Sequence, residues 1–187
     1  MSSRANFYDI ENLCQHYYNK YDEVYHLCTP ENHPIIFHNS EEFKTGMSLL
    51  GLVASSHKDV KIITFELMNN HAHIITAGTI ESITNLFNGY KKLLTKCLSH
   101  DGCAPDLDSF NMHLHRINSL ENMRNAIAYV NRNGSVVDRH VCPYSYHWGA
   151  NKYFFNPEAK SRYQEKKRKI TTREKRNIAQ SHKFDNS

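Results

Sequence analysis

The stretch VKIITFELMNNHAHIITAG, residues 60–78, reads as two β-prone runs joined by Asn69-Asn70. Val, Ile, Thr and Phe crowd both runs, and such side chains suit a pleated, half-buried surface. Asn tolerates the backbone that a tight hairpin needs, so the spacing predicts an antiparallel hairpin over 60–68 and 71–77. The other elements arrange themselves around it. Upstream, EVYHLCT (23–29) has strand composition and is followed by the breaker-rich PENHP. Asn39 stands three residues before Glu42, a capping-box spacing, and Phe43, Met47, Leu50 and Ala54 recur at helical intervals. Downstream, Ile83, Leu86, Phe87, Tyr90, Leu93, Leu94 and Cys97 form a second helical stripe that ends in the loop SHDGCAPDLD. FNMHLHRI (110–117) alternates as a strand, and Ser119 can cap a third helix with Leu120, Met123, Ile127 and Val130 on its apolar side.

The resulting order, β-α-β-β-α-β-α, predicts an α+β fold: a ferredoxin-like split β-α-β antiparallel sheet with helices on one face and an added C-terminal helix that carries Tyr129. Residues 1–155 are expected to form one domain and 156–187 a basic tail. Fold alone leaves function open.

The chain has 187 residues, 40% of them hydrophobic, enough for a sizeable core. It has no apolar run long enough to span a membrane and no basic-then-greasy leader, which argues against a membrane span or a secretory signal and points to the cytoplasm. Five cysteines, at 14, 28, 97, 103 and 142, are odd in number and lack a C-x-x-C pair, which argues for reduced thiols. Cys97, His100 and Cys103 have a zinc-like spacing, although three ligands in one loop fall short of a closed site. Residues 151–187 carry 11 Lys/Arg against 4 Asp/Glu, so that the tail is +7 and the remainder −3. A polyanion would be felt at the tail.

With 13 histidines in the chain, roughly one H-x-H is expected by chance, and there are two: His71-Ala72-His73 and His113-Leu114-His115. On a strand, residues i and i+2 share a face, so His71 and His73 project together with Ile75 and Ala77. From the residues alone, the pair is either a chelate for one cation or two histidines on an uncovered sheet face. The third helix offers further candidates. Tyr129 and Asn133 are four residues apart, which points a hydroxyl and a carboxamide the same way from adjacent turns. Two imidazoles and a carboxamide oxygen make a mixed N/O set that suits Mg²⁺ or Mn²⁺ with positions open to a phosphate.

At this point the chain resembles the HUH-class Y1 tyrosine transposases, the IS200-like family, and within it the branch associated with repetitive extragenic palindromes (REP). That branch carries a segment close to Tyr-x-Leu-Met-Pro-Asn-His-hydrophobic-His, and here Phe65 to His73 reads FELMNNHAH. Its helix ends Tyr-Ile-x-x-Asn-Pro and is followed by Pro-x-x-Tyr-x-Trp-Ser-Ser; here these are Tyr129-Val130-Asn131-Arg132-Asn133-Gly134 and Pro143 to Ala150, PYSYHWGA. The resemblance runs from about Tyr25 to Phe155. Asn69, Gly134 and the pair Gly149-Ala150 depart from the family pattern, but none of them removes a reacting group.

The resemblance implies a DNA transposase: His71, His73 and Asn133 as ligands of Mg²⁺ or Mn²⁺, and Tyr129 as the nucleophile toward single-stranded or hairpin DNA. It further implies a 5′-phosphotyrosine intermediate, work at the nucleoid, and action as a monomer or as a homodimer with exchanged tyrosine helices. His113-Leu114-His115 lacks the preceding Met-x-Asn and reads as an ordinary strand pair within reach of the same cleft. A domesticated, non-cutting nucleic-acid-binding module on the same fold is the alternative.

Overall fold

The structure, a computed structural model, describes residues 7–98, 105–134 and 146–150. His100, Cys103, Cys142, Pro143 to Ser145 and the basic tail, all singled out above, lie outside them. Among the described residues the order is α1 (Phe7–Lys20), β1 (Val24–Cys28), α2 (Ser40–Ser56), β2 (Lys61–Leu67), β3 (Ala72–Ala77), α3 (Ile80–Cys97), β4 (His113–Arg116) and α4 (Leu120–Val130). The strands form one antiparallel sheet in the order β2-β3-β1-β4, the split β-α-β arrangement. Helix α1 adds an element that the sequence reading omits.

Local chemistry sets the boundaries. The Asn39 side chain accepts from the Glu41 and Glu42 amides at 3.0 and 3.1 Å, while Thr79 caps α3 and Ser119 caps α4 in the same way. Asn69 and Asn70 make the two-residue turn, closed by Met68 N–H donating to His71 O at 2.8 Å. Gly78 follows β3 with φ +146°, a conformation in which L side chains are strained, and an added Cβ would also meet Asp59 O at 3.1 Å.

Helices cover both faces of the sheet. On one, Leu27, Leu67 and Ile74 pack with Leu50 and Val53 of α2 and Ile83, Phe87, Tyr90 and Leu94 of α3. On the other, Val24, Ile63, Ile75 and Ala77 meet Met123, Ile127 and Val130 of α4, with Cys14 of α1 behind them. Each fully buried Leu, Ile or Met contributes about 1.5–3 kcal/mol. The added C-terminal helix thus lies on the face opposite α2 and α3. No helix among the described residues is long and apolar enough to cross a membrane.

The register of β2 is offset at Ile63. Ile62 pairs with Thr76 and Thr64 with Ile75, which leaves Ile63 as the extra residue of a bulge. Ile62, Phe65 and Leu67 therefore join the α2–α3 core, whereas Thr64 and Glu66 share the α4 side with Ile75 and His73.

Candidate functional site

His71 and His73 stand where the turn enters β3, on the α4 side of the sheet, and both are buried. Their rings lie 5.1 Å apart and nearly perpendicular. Neighbouring groups constrain which nitrogens carry protons. Asn70 Nδ2 donates to the carbonyls of Glu31 and His33, so its Oδ1 is the atom that faces His71 Nδ1 at 2.8 Å. His71 must therefore be protonated at Nδ1, which leaves Nε2 with a lone pair. His73 Nδ1 lies 3.1 Å from His26 Nε2. His73 Nε2 is buried without a hydrogen-bond partner, a condition that costs about 1–3 kcal/mol unless something meets it.

The loop after β1 brings in a carboxylate. Register Cys28↔His73 carries the chain on to Thr29, which pairs with Ala72 through Thr29 N–H to Ala72 O at 3.1 Å and Ala72 N–H to Thr29 Oγ1 at 2.9 Å. Glu31 then emerges beside the histidines, and one ligand atom from each of Glu31, His71 and His73 lies within 4.8 Å of the others. No other trio of His, Cys, Asp or Glu among the described residues is so grouped. Two imidazoles and a carboxylate form a donor set for a divalent cation, and the unpartnered His73 Nε2 fits that use.

Helix α4 carries Tyr129 onto the same spot. Its ring is 48% exposed and meets His73 edge-on at 5.3 Å and His26 at 5.8 Å. Burial pushes the phenol pKa up, as do the charges of Glu31 and Cys28, and the Asn133 carboxamide beside the hydroxyl opposes them. Asn133 is buried just past the helix end, and its Nδ2 makes no hydrogen bond of ordinary geometry. It thus adjoins the phenol, and it makes no hydrogen bond to either imidazole among the described residues. Burial, followed by repulsion from His71 and His26, lowers His73 to about 3. Burial and then His115 lower His26 to about 4. Burial lowers His71 too, partly offset by Glu31. Burial thus favours the neutral form of all three rings, the form a metal requires of imidazole.

The far end of α4 is fixed by bulged β2. Thr64 Oγ1 donates to Asn131 Oδ1 at 2.9 Å, a buried bond to the residue that closes the helix. Glu66, 1% exposed, lies beneath the next turn, and neither carboxylate oxygen has a hydrogen bond of ordinary geometry. Burial raises its pKa to about 7, against the pull of the nearby Gly134 and Asn133 amides. Gly134 packs against the Tyr146 ring, which leaves no room for a Cβ. Tyr146 Oη donates to Leu67 O at 2.6 Å, Leu67 N–H to Trp148 O at 2.8 Å and Ala150 N–H to Phe65 O at 2.9 Å. Residues 146–150 thereby line the outer edge of β2, and Trp148 stacks on Phe43. Two departures from the family pattern thus have local reasons, since a Cβ at Gly149 would meet Phe65 O at 2.9 Å.

A cleft of about 600 Å³ opens between β1, β4 and α4, lined among others by His26, Glu31, His73, His113, His115 and Tyr129. The second H-x-H therefore reaches the same cleft, as its strand position allows. Cys97 is exposed and joins no metal group among the described residues. Sequence reasoning missed His26, Glu31 and Glu66. His26 had a signal, a polar ring inside a strand-like run; Glu31 and Glu66 had none, because a loop and a bulge bring them in.

No protein-family model and no curated protein matches the chain. A solved structure of a REP-associated tyrosine transposase bound to a REP hairpin matches in fold, with a TM-score of 0.55, 10% identity, and coverage of 70% of this chain and 77% of that one. The likeness establishes a shared α+β fold.

Proposed function

We propose that this protein is a metal-dependent, single-stranded DNA nicking and strand-transfer enzyme of the tyrosine transposase type, with Tyr129 as nucleophile. The observation that carries the reading is the juxtaposition of the Tyr129 ring with His73, 5.3 Å away, within one chain. Likeness of fold to a transposase bound to a REP hairpin supports hairpin DNA as the substrate.

His71 and His73 would hold a divalent cation, Mg²⁺ or Mn²⁺, through their Nε2 atoms, with Glu31 as the carboxylate beside them and Asn133 as the carboxamide on the helix end. When bound, such a cation would neutralise Glu31 and polarise the attacked phosphodiester. Tyr129 Oη then bonds to phosphorus as the bond to the 3′ oxygen breaks, giving a 5′-phosphotyrosine link and a free 3′-OH. The phenolic proton lost balances the proton gained by the leaving oxygen. Attack by another 3′-OH reverses the step, and no nucleotide cofactor is consumed. Helix α4 supplies the alignment, holding the hydroxyl over the cleft and so sparing the reaction the entropy of bringing two partners together.

The test is incubation with labelled hairpin-flanked single-stranded DNA and Mn²⁺, followed by denaturing electrophoresis. Wild-type protein is expected to retain label. Tyr129→Phe should lose the adduct entirely with its melting temperature and metal binding intact, and His71→Ala should lose adduct and metal affinity together. An adduct formed by Tyr129→Phe, or by wild-type protein in excess chelator, would overturn the reading. Hairpin binding by wild-type protein without any adduct would instead favour the non-cutting module.

A further inference from the structure

We infer that His26 is a positioning residue that fixes the tautomer of His73, so that His73 presents an unprotonated Nε2 to the cation site. The inference rests on the reading of His71 and His73 as ligands and adds a residue outside the H-x-H segment. β1 lies between β3 and β4, and the register Cys28↔His73, His26↔Ile75 makes His26 the diagonal neighbour of His73 on the α4 side of the sheet. Diagonal pairs are within reach of ring side chains, and here the ring nitrogens meet at 3.1 Å.

One proton serves that contact, and it can sit on either ring. If His26 Nε2 carries it, His73 must carry its own proton on Nε2, a buried N–H with no acceptor among the described residues. If His73 Nδ1 carries it, His26 Nε2 accepts, and His73 Nε2 is left with a lone pair available to a cation held with His71 and Glu31. The second arrangement leaves no donor stranded. It also makes the two ligands alike, because Asn70 Oδ1 holds His71 by its Nδ1–H in the same manner. Each imidazole is gripped from behind and offers Nε2 forward, one by a sequence neighbour and the other by a residue 47 positions away. Partners of this kind orient a metal-binding histidine and raise its basicity.

The experiment is nitrogen-15 NMR of the metal-free protein, in which pyrrole-type and pyridine-type ring nitrogens are distinguished, together with Mn²⁺ titration by calorimetry. His73 is expected to be protonated at Nδ1 in the wild-type protein. His26→Phe should convert His73 to a mixture or to the Nε2–H form, leave His71 unchanged as an internal control of folding, and weaken Mn²⁺ binding about 10- to 100-fold. His26→Gln, whose amide oxygen can accept the same proton, should recover most of the affinity. A wild-type His73 protonated at Nε2 would overturn the inference, and that measurement stands even if the Phe variant fails to fold. Unchanged Mn²⁺ affinity in His26→Phe would overturn it too. The expected tautomer with no Mn²⁺ binding by wild-type protein would overturn the ligand reading itself, and the role of His26 with it.

Discussion

Glu66 is the residue whose surroundings conflict most with its chemistry. A carboxylate on the α4 side of β2, opposite His73, faces the Tyr146 hydroxyl and the amides of Asn133 and Gly134, and its pKa rises from 4.5 to about 7. Because the folded value lies above the unfolded one, the folded state binds the extra proton between those limits. Stability is therefore fullest below about pH 4.5 and declines as pH rises to about 7. Glu66→Gln keeps the shape and removes the charge. It should flatten that part of the pH–stability curve and raise stability at pH 8 by an amount on the order of 1–3 kcal/mol. Urea titrations of both proteins at pH 5 and pH 8 check this; equal pH slopes would show that the carboxylate is solvated as in the unfolded chain. Glu66 itself was invisible to pattern reading, because simple alternation along β2 cannot anticipate the extra residue at Ile63 that decides which side chains face α4.

Among the elements, α4 bears the proposed nucleophile, and its C-terminal end is anchored by the buried side-chain bond from Thr64 to Asn131. Thr64→Val keeps the branched shape and leaves the Asn131 oxygen unmatched, a change expected to cost about 1–3 kcal/mol. It should also slow adduct formation more than hairpin binding, since the helix end that carries Asn133 loses its tether. Chemical denaturation and single-turnover nicking check the two parts, and a variant as stable and as fast as wild type would mean that the bond carries no positioning. The elements themselves were largely legible. The hairpin announced itself through two β-branched runs and an Asn-Asn turn, and Asn39 and Ser119 marked helix starts that their side chains do cap. Helix α1 was missed although Cys14, Tyr17, Tyr18 and Tyr21 recur at helical spacing; its apolar stripe is short, tyrosine-rich and served mainly by α4. Of the proposed site, the histidine pair and Tyr129 could be read locally, because strand and helix periodicity fix their directions. Glu31 could not, and His26 showed only as a polar ring in a strand-like run, since the β1–β3 register that delivers them joins residues more than forty positions apart.

At the scale of the molecule, one chain brings its own phenol to its own imidazoles, so the proposed chemistry requires no exchanged helix. The charge is apportioned differently: the body through residue 150 is −3, and the remainder is +7. If the basic portion grips phosphates, removal of residues 156–187 should weaken DNA binding at low salt and reduce the slope of log K against log salt by about one for each phosphate no longer neutralised. Fluorescence anisotropy across a salt series checks this, and an unchanged slope would assign the grip to the body. The two margins of the sheet also differ. β2 is shielded by Trp148 to Ala150, whereas β4, four residues long, ends the sheet with His113 and His115 beside the cleft. Among the described residues no strand pairs with the outer side of β4, and backbone left bare at such a border invites another strand to join it. Any fusion of two copies through their sheets would thus run alongside the mouth that the proposed nucleic-acid substrate would enter, so self-association by that route and substrate occupancy would be rivals for the same ground.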